Sequence, residues 1–473
     1  MSPRTTYTTP GERKSGGKAR RSRVPRSRHR DWQPSPDRPD PVETLERQDA
    51  TRVPELVPIR HGRMLASPFS FYRGAAAIMA ADLGAVPNTG LEVQLCGDAH
   101  LSNFGAFMAP DRRLIFDIND FDETLPGPFE WDVKRLAASF DVAARQQGFK
   151  SRTRQEVVAT AAREYRKEMR RLASMGDLDI WFSRVDVDTV EQYRTHVAAN
   201  RGKQLDRAVA KAERKNRLRA LEKLTRRAGD SLRIISDPPL IVPIAELAAE
   251  QGIEVDLQPL LEGLIEEYRR TLQPDVRHLV DRYRYVDAAH KVVGVGSVGT
   301  RCWIVLLLGR DEEDPFFLQV KETGPSVLEP FASHQRLRHH GRRVVEGQRL
   351  MQAASDILLG WLTAPGLVGQ ALGRVRQREF YVRQLWDGKG STEIERFDIE
   401  GMQIYATLCG GTLARAHARS GDAIEIASYL GGGDGFDRAI ADFSEAYADQ
   451  NEQDFEAFSA AVDSGRVEAR ADL

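Results

Sequence analysis

The chain has 473 residues, with 68 Lys and Arg against 69 Asp and Glu and a net charge of −1 at pH 7. That length sustains a large core without staples and suits one two-lobed domain or two to three ordinary ones, while the charge balance excludes a polyanion binder acting through bulk charge. The few, widely spaced cysteines Cys96, Cys302 and Cys409 exclude a disulfide framework and a structural zinc, and the longest apolar run, 303–308, is far short of the ~20 residues of a membrane helix, so a cytoplasmic protein without membrane contact is expected.

Residues 1–48 are rich in Ser, Pro, Gly and Arg, with ten Lys or Arg and one acid, Glu12, between positions 4 and 30. They read as a disordered basic tail, either a solubilising extension or a weak nucleic-acid contact. Order is expected from about Pro54. The spacing of Phe71, Ala75, Ile78 and Met79 predicts a helix over 71–83, stopped by Gly84. A strand over 91–95 leads to a hairpin, 104–108 with 114–118, turning at Pro110-Asp111-Arg112. A helix opens at Glu130. Residues 152–232 read as helical and charged; the basic stretch 201–227 is a solvated helix face or an RNA-binding surface. A helix over 257–272 precedes a β-rich part with strands 292–295, 302–308 and 316–320, a helix over 338–359 and a strand over 379–385. The remainder, 398–418 and 435–461, is helical.

Two stretches carry chemistry. In Cys96-Gly97-Asp98-Ala99-His100-Leu101-Ser102-Asn103 an acid is followed at +2 by His and at +5 by Asn. The apolar strand after it ends in Asp117, Asp120 and Asp122. Phosphoryl transfer uses such a set: one carboxylate orients the attacking hydroxyl, and an Asn and a second Asp hold Mg²⁺ on the nucleotide phosphates. The stretch resembles the catalytic loop and metal strand of the protein-kinase-like superfamily, above all aminoglycoside and choline-type phosphotransferases. The resemblance implies that Asp98 orients and deprotonates the acceptor, that His100 supports the loop or touches phosphate, and that Asn103 and Asp120 ligate the metal. Asp117 and Asp122 remain alternatives to Asp120. Cys96 stands where that pattern has His, and Asp122 stands where a D-F-G triplet has its Gly.

The second stretch is Gly294-Val295-Gly296-Ser297-Val298-Gly299. Glycines let a backbone approach phosphates closely. A Rossmann reading needs a helix directly afterwards, whereas a strand follows here. The motif is therefore a kinase-type glycine loop or a plain glycine-rich hairpin. Lys321 closes a later strand, where the resemblance implies a phosphate-binding lysine, held forward by a helix Glu, here Glu346. Gln384 and Leu385 fall where a hinge grips adenine through its backbone, and 386–390 fall at the interlobe crossing.

The catalytic-loop residues precede the glycine-loop residues, the reverse of the usual kinase order, so a circular permutation is expected. Over roughly 50–460 the chain also resembles a bacterial domain-of-unknown-function family (2252) through Arg63-Met64, Ser67-Pro68-Phe69, Phe71-Tyr72-Arg73-Gly74, the Cys96–Gly105 words and Leu413-Ala414-Arg415-Ala416-His417. His417 and Asp422 either line the cleft or belong to a capped, packed helix; Arg63 and Arg73 either bind phosphate or sit in buried ion pairs.

The fold expected is α+β, a protein-kinase-like two-lobed fold in permuted motif order. Its parts are a tail over 1–48, a helical lobe over 49–280, a β-rich nucleotide lobe over 281–387 and a helical completion over 388–473. The function expected is an ATP- and Mg²⁺-dependent phosphotransferase with an unidentified small-molecule or protein acceptor. A nucleotide-binding pseudokinase or scaffold, a nucleotidyl transferase and a nucleic-acid-binding protein remain open.

Overall fold

Four helices, Phe129–Gln146, Ser151–Leu172, Ile399–Ala418 and Gly435–Asp463, carry apolar residues at helical spacing. Those faces meet in one core that includes Leu136, Phe140, Val158, Tyr165, Leu413 and Phe443. The computed structural model describes residues 8–186, 217–229, 231–250, 252, 258–332, 339–365, 377–385 and 394–470. Among the described residues no helix is long and apolar enough to cross a membrane.

The strands in chain order are β1 Glu92–Leu95, β2 Phe104–Met108, β3 Leu114–Ile118, β4 Leu125–Pro128, β5 Val185–Asp186, β6 Thr225–Ala228, β7 Ser231–Ile234, β8 Ile241–Pro243, β9 Arg284–Lys291, β10 Cys302–Leu308, β11 Pro315–Thr323, β12 Gly360–Pro365 and β13 Gln377–Gln384. The largest sheet is antiparallel, in the order β12-β13-β11-β10-β9-β8. Its central strand β10 is apolar along its length because both faces are covered. Helix Gln258–Arg270 packs Leu264, Ile265 and Tyr268 on the face with Val305, Leu318 and Val382. Helix Arg217–Leu224 packs Ala220 and Leu224 on the face with Ile304, Leu306 and Phe317. The class is mixed α+β with several antiparallel sheets.

Several expectations change. Residues 8–48 are folded, contrary to a disordered tail. Helix Pro10–Arg23 opens with a Thr9–Glu12 capping box. Arg21 and Arg26 donate to the carbonyls of Tyr429 (2.9 Å) and Leu430 (2.7 Å), which end helix Ala423–Leu430. Trp32 is buried against Phe443 and Tyr447. Arg38 binds Asp82 at 2.7 Å and Asp454 at 2.6 Å. These cations serve orphan helix carbonyls and buried carboxylates, partners that composition does not show.

The helix over 71–83 is two, Pro68–Gly74 and Ala76–Gly84, with Ala75 out of helical geometry between them. Residues 292–295 are not a strand: pairing stops at Lys291 and the chain enters a turn through Gly294 at φ +72°. The helix of the β-rich part ends at Met351, and its expected tail reaches β12. The basic helix lies mostly outside the described residues, and its end, 225–228, is β6. Residues 386–390 also lie outside them.

Candidate functional site

The loop after β1, the turn after β3 and the turn after β9 meet in one cleft of about 170 Å³, lined by Asp98, His100, Asn103, Asp120, Asp122, Gly294 and Gly296 among others. Segments about 200 residues apart in sequence thus share one wall-to-wall space.

The Asp98 loop is held by its backbone. Asp132, in the first turn of helix Phe129–Gln146, accepts the N–H of Cys96 (2.8 Å) and of Gly97 (3.1 Å). Asp132 in turn meets His417 Nε2 at 3.2 Å, and His417 Nδ1 meets the Tyr165 hydroxyl at 2.9 Å. His417 therefore supports the loop from the core rather than lining the cleft, and Asp422 caps helix Ala423–Leu430. Gly97 sits at φ +86°, and a Cβ there would lie 2.2 Å from the Glu123 carbonyl oxygen, so only glycine lets the two loops touch.

Arg135, three residues along the same helix from Asp132, donates Nε to Asp98 Oδ1 at 2.9 Å. The other oxygen, Oδ2, is 3.7 Å from His100 Nε2. Burial pushes the His100 pKa down to about 4 against the pull of Asp98, so the ring is neutral at pH 7. Asn103 Nδ2 donates to the Asp98 carbonyl at 2.8 Å, which leaves its side-chain oxygen as the atom for a cation. Burial, then Asp132 and Asp98, raise the Cys96 thiol well above its usual pKa, so it is no thiolate nucleophile.

The three acids after β3 divide by role. Asp117 is buried, pairs with Arg415 at 2.5 Å and accepts the N–H of Ile118 (2.9 Å) and Ala353 (2.8 Å). It is a structural anion, not a ligand in the cleft. Asp122 is ion-paired with Lys321 and accepts the Tyr381 hydroxyl at 2.9 Å. Asp120 lines the cleft and accepts the Asp122 N–H at 3.2 Å. Burial draws the Lys321 ammonium down, but Asp120 and Asp122 outweigh it, so its pKa is raised and the charge is kept.

Three expected site residues lie elsewhere. Glu346 is solvent-facing and pairs with Arg342 at 2.6 Å, not with Lys321. The buried face of helix His340–Met351 runs through Arg343, Val344, Gln348 and Met351. That face delivers Arg343, which donates to the carbonyls of Thr124 (2.7 Å), Asp122 (2.8 Å) and Gly324 (3.0 Å) and fixes the acidic turn. The Val344–Met351 spacing, followed for a buried face, would have pointed to Arg343 rather than Glu346. Gln384 and Leu385 do not line this cleft. The Gln384 N–H is taken by Asp356 (2.7 Å) and that of Leu385 by the Phe317 carbonyl (2.9 Å), so neither is left for a base.

The glycine loop is pinned from below. Arg63 donates to the Gly294 carbonyl at 2.6 Å, Arg52 to that of Val298 at 2.5 Å, and Val53 N–H to that of Gly299 at 2.8 Å. Val298 is buried with Leu56 and Ile59. Gly299 thus closes the loop rather than lining the cleft. Neither Arg52 nor Arg343 was visible as a site residue in the sequence, because each lies outside any local motif.

Among the described residues no three His, Cys, Asp or Glu side chains are grouped to hold a metal alone. Mg²⁺ bound with phosphates needs only one or two carboxylates, and the oxygens of Asp120 and Asn103 suit that hard cation. A family model described as an uncharacterized protein conserved in bacteria (DUF2252) matches residues 52–461. No curated protein and no solved structure matches the chain.

Proposed function

The chain belongs to this family of uncharacterized bacterial proteins, and from the chemistry of its cleft we propose that it is an ATP- and Mg²⁺-dependent phosphotransferase of kinase-like, two-lobed fold acting on an alcohol. The observation that carries this reading is the pairing of Lys321 with Asp122 beside Asp98, Asn103 and Asp120. Two motifs far apart in the chain supply one set of phosphoryl-transfer groups. The order β9, glycine loop, β10, β11 with Lys321, helix, β12, β13 also agrees with a kinase nucleotide lobe, whose lysine lies on the third strand and is followed by a helix. A permuted chain accounts for the catalytic loop coming first.

In this reading the glycine loop covers the phosphates and Lys321 neutralises them. Asn103 and Asp120 are the groups that would hold Mg²⁺, since both line the cleft and carry oxygens of the kind that hard cation takes. The metal supplies charge neutralisation on the phosphates. Asp98, fixed through Oδ1 by Arg135, takes the acceptor proton on Oδ2. Neutral His100 packs beside that oxygen without adding charge.

Titration calorimetry of ATP with and without Mg²⁺, on the wild type and Asp120→Ala, tests this. Mg²⁺-dependent binding that disappears in Asp120→Ala is expected. No binding by the folded wild type in either condition would overturn the reading.

A further inference from the structure

Two guanidinium groups line the cleft without a full set of acceptors, and one of them, Arg52, spends a single N–H on the Val298 carbonyl of the glycine loop. Arg52 follows helix Pro41–Asp49 and Arg73 lies in helix Pro68–Gly74; both line the cleft that holds Asp98 and Asp120. Each has a buried Nε with no acceptor. The carboxylates that act on Arg73 do so from beyond ion-pairing distance and are Asp98, Glu395 and Asp120. Arg52 stands 3.7 Å from Asp49, whose carboxylate is already bound by Arg60 (2.9 Å) and His61 (2.8 Å). Burial, with Arg60 beside it, presses the Arg52 pKa down to about 9, a cost that a bound anion relieves. The glycine loop lies directly over both residues. A Cβ at Gly299 would be 3.0 Å from Arg52 Cβ, and one at Gly296 would be 3.3 Å from the Arg73 carbonyl oxygen. The glycines let the loop pack on the Arg52 stem and on the Arg73 backbone.

We propose that Arg52 and Arg73 form a phosphate subsite in the cleft, separate from the Lys321 position. A guanidinium fork matches the geometry of a phosphate, and two of them face the same cleft. Resting on the phosphotransfer reading, this makes the acceptor an alcohol that already carries a phosphate, with its hydroxyl at Asp98 and its phosphate on the arginines. The acceptor oxygen bonds to the γ-phosphorus of ATP as the bond from that phosphorus to the β–γ bridging oxygen breaks. The hydroxyl proton goes to Asp98, and the products are a doubly phosphorylated compound and ADP.

The test is calorimetric titration of inorganic phosphate into the full chain, alone and saturated with Mg²⁺ and a non-hydrolysable ATP analogue. The wild type is expected to bind phosphate in both states. Arg52→Ala and Arg73→Ala should each weaken phosphate by about tenfold or more, the scale of a lost charge-assisted hydrogen bond, and Arg73→Ala, which makes no contact with the glycine-loop carbonyls, should leave the analogue's affinity unchanged. Arg73→Lys, which keeps the charge and loses the fork, should fall between and carries the test if Arg73→Ala does not fold. Phosphate excluded by the analogue, with the analogue itself weakened in the variants, assigns the subsite to the nucleotide's terminal phosphate and overturns the phosphorylated acceptor. Equal phosphate affinity in all variants, or none in folded wild type, overturns the subsite. An analogue that fails to bind while arginine-dependent phosphate binding persists supports the subsite and sinks the phosphotransfer reading instead.

Discussion

Lys321, buried behind the cleft wall, forms an ion pair with the cleft-lining Asp122 although 199 residues separate them in the chain. Lys321 is 3% exposed and Asp122 keeps partial access to solvent. Removing one partner leaves the other charge short of compensation, while removing both removes that penalty. Lys321→Met should therefore cost about 1–3 kcal/mol in urea unfolding, and Lys321→Met with Asp122→Asn should cost less than the sum of the single changes. Strict additivity would show that the pair is energetically uncoupled.

Helix His340–Met351 gives a paired contrast. Glu346→Ala removes an exposed i,i+4 pair with Arg342 and should change stability by no more than about 0.5 kcal/mol. Arg343→Met strips three backbone carbonyls of their donor at a buried position and should cost about 2–4 kcal/mol. Thermal unfolding of the two variants checks this; a larger loss in Glu346→Ala would restore the expected lysine partner.

Asp98→Asn keeps the shape of the side chain and removes the proton acceptor. Once an acceptor is known, turnover should fall about 10²–10⁴-fold, the range for a lost general base, while calorimetry shows nucleotide binding retained. Full turnover in Asp98→Asn would remove its assigned role.

His100 is buried with its pKa lowered to about 4. The folded state holds it neutral while the unfolded chain protonates it near 6.5, so the unfolded state binds more protons between those values. Stability contributed by His100 is complete above about 6.5 and is lost as pH falls towards 4, up to about 3 kcal/mol. His100→Gln should flatten that limb relative to wild type in unfolding measured across pH 4–7; identical slopes would mean that the ring titrates normally.

Arg38 ties the N-terminal segment to Asp82 and Asp454, all three side chains at most 10% exposed. Arg38→Ala should destabilise the protein by about 3–5 kcal/mol because two buried carboxylates lose their counter-charge. An unchanged melting temperature would mean that residues 8–48 contribute nothing to the folded body.

The sequence by itself determined what is local. The hairpin of β2 and β3, the strand β10 and the helices Ile399–Ala418 and Gly435–Asp463 follow from apolar spacing and turn residues within a few positions of each other. So does the Asp98–His100–Asn103 grouping, since one loop carries all three. Tertiary structure alone separated Asp117 from the other two acids, because Arg415 reaches Asp117 while Asp120 and Asp122 both act on Lys321 and Asp122 ion-pairs with it. It likewise turned Glu346 outward and Arg343 inward, since only packing fixes which face of a helix is buried. The basic residues of 8–48 look unpartnered in sequence because the carbonyls and carboxylates they serve, at Tyr429, Leu430, Asp82 and Asp454, lie between 44 and 416 positions away. Periodicity records burial along one element; it holds no record of which distant charge lies opposite.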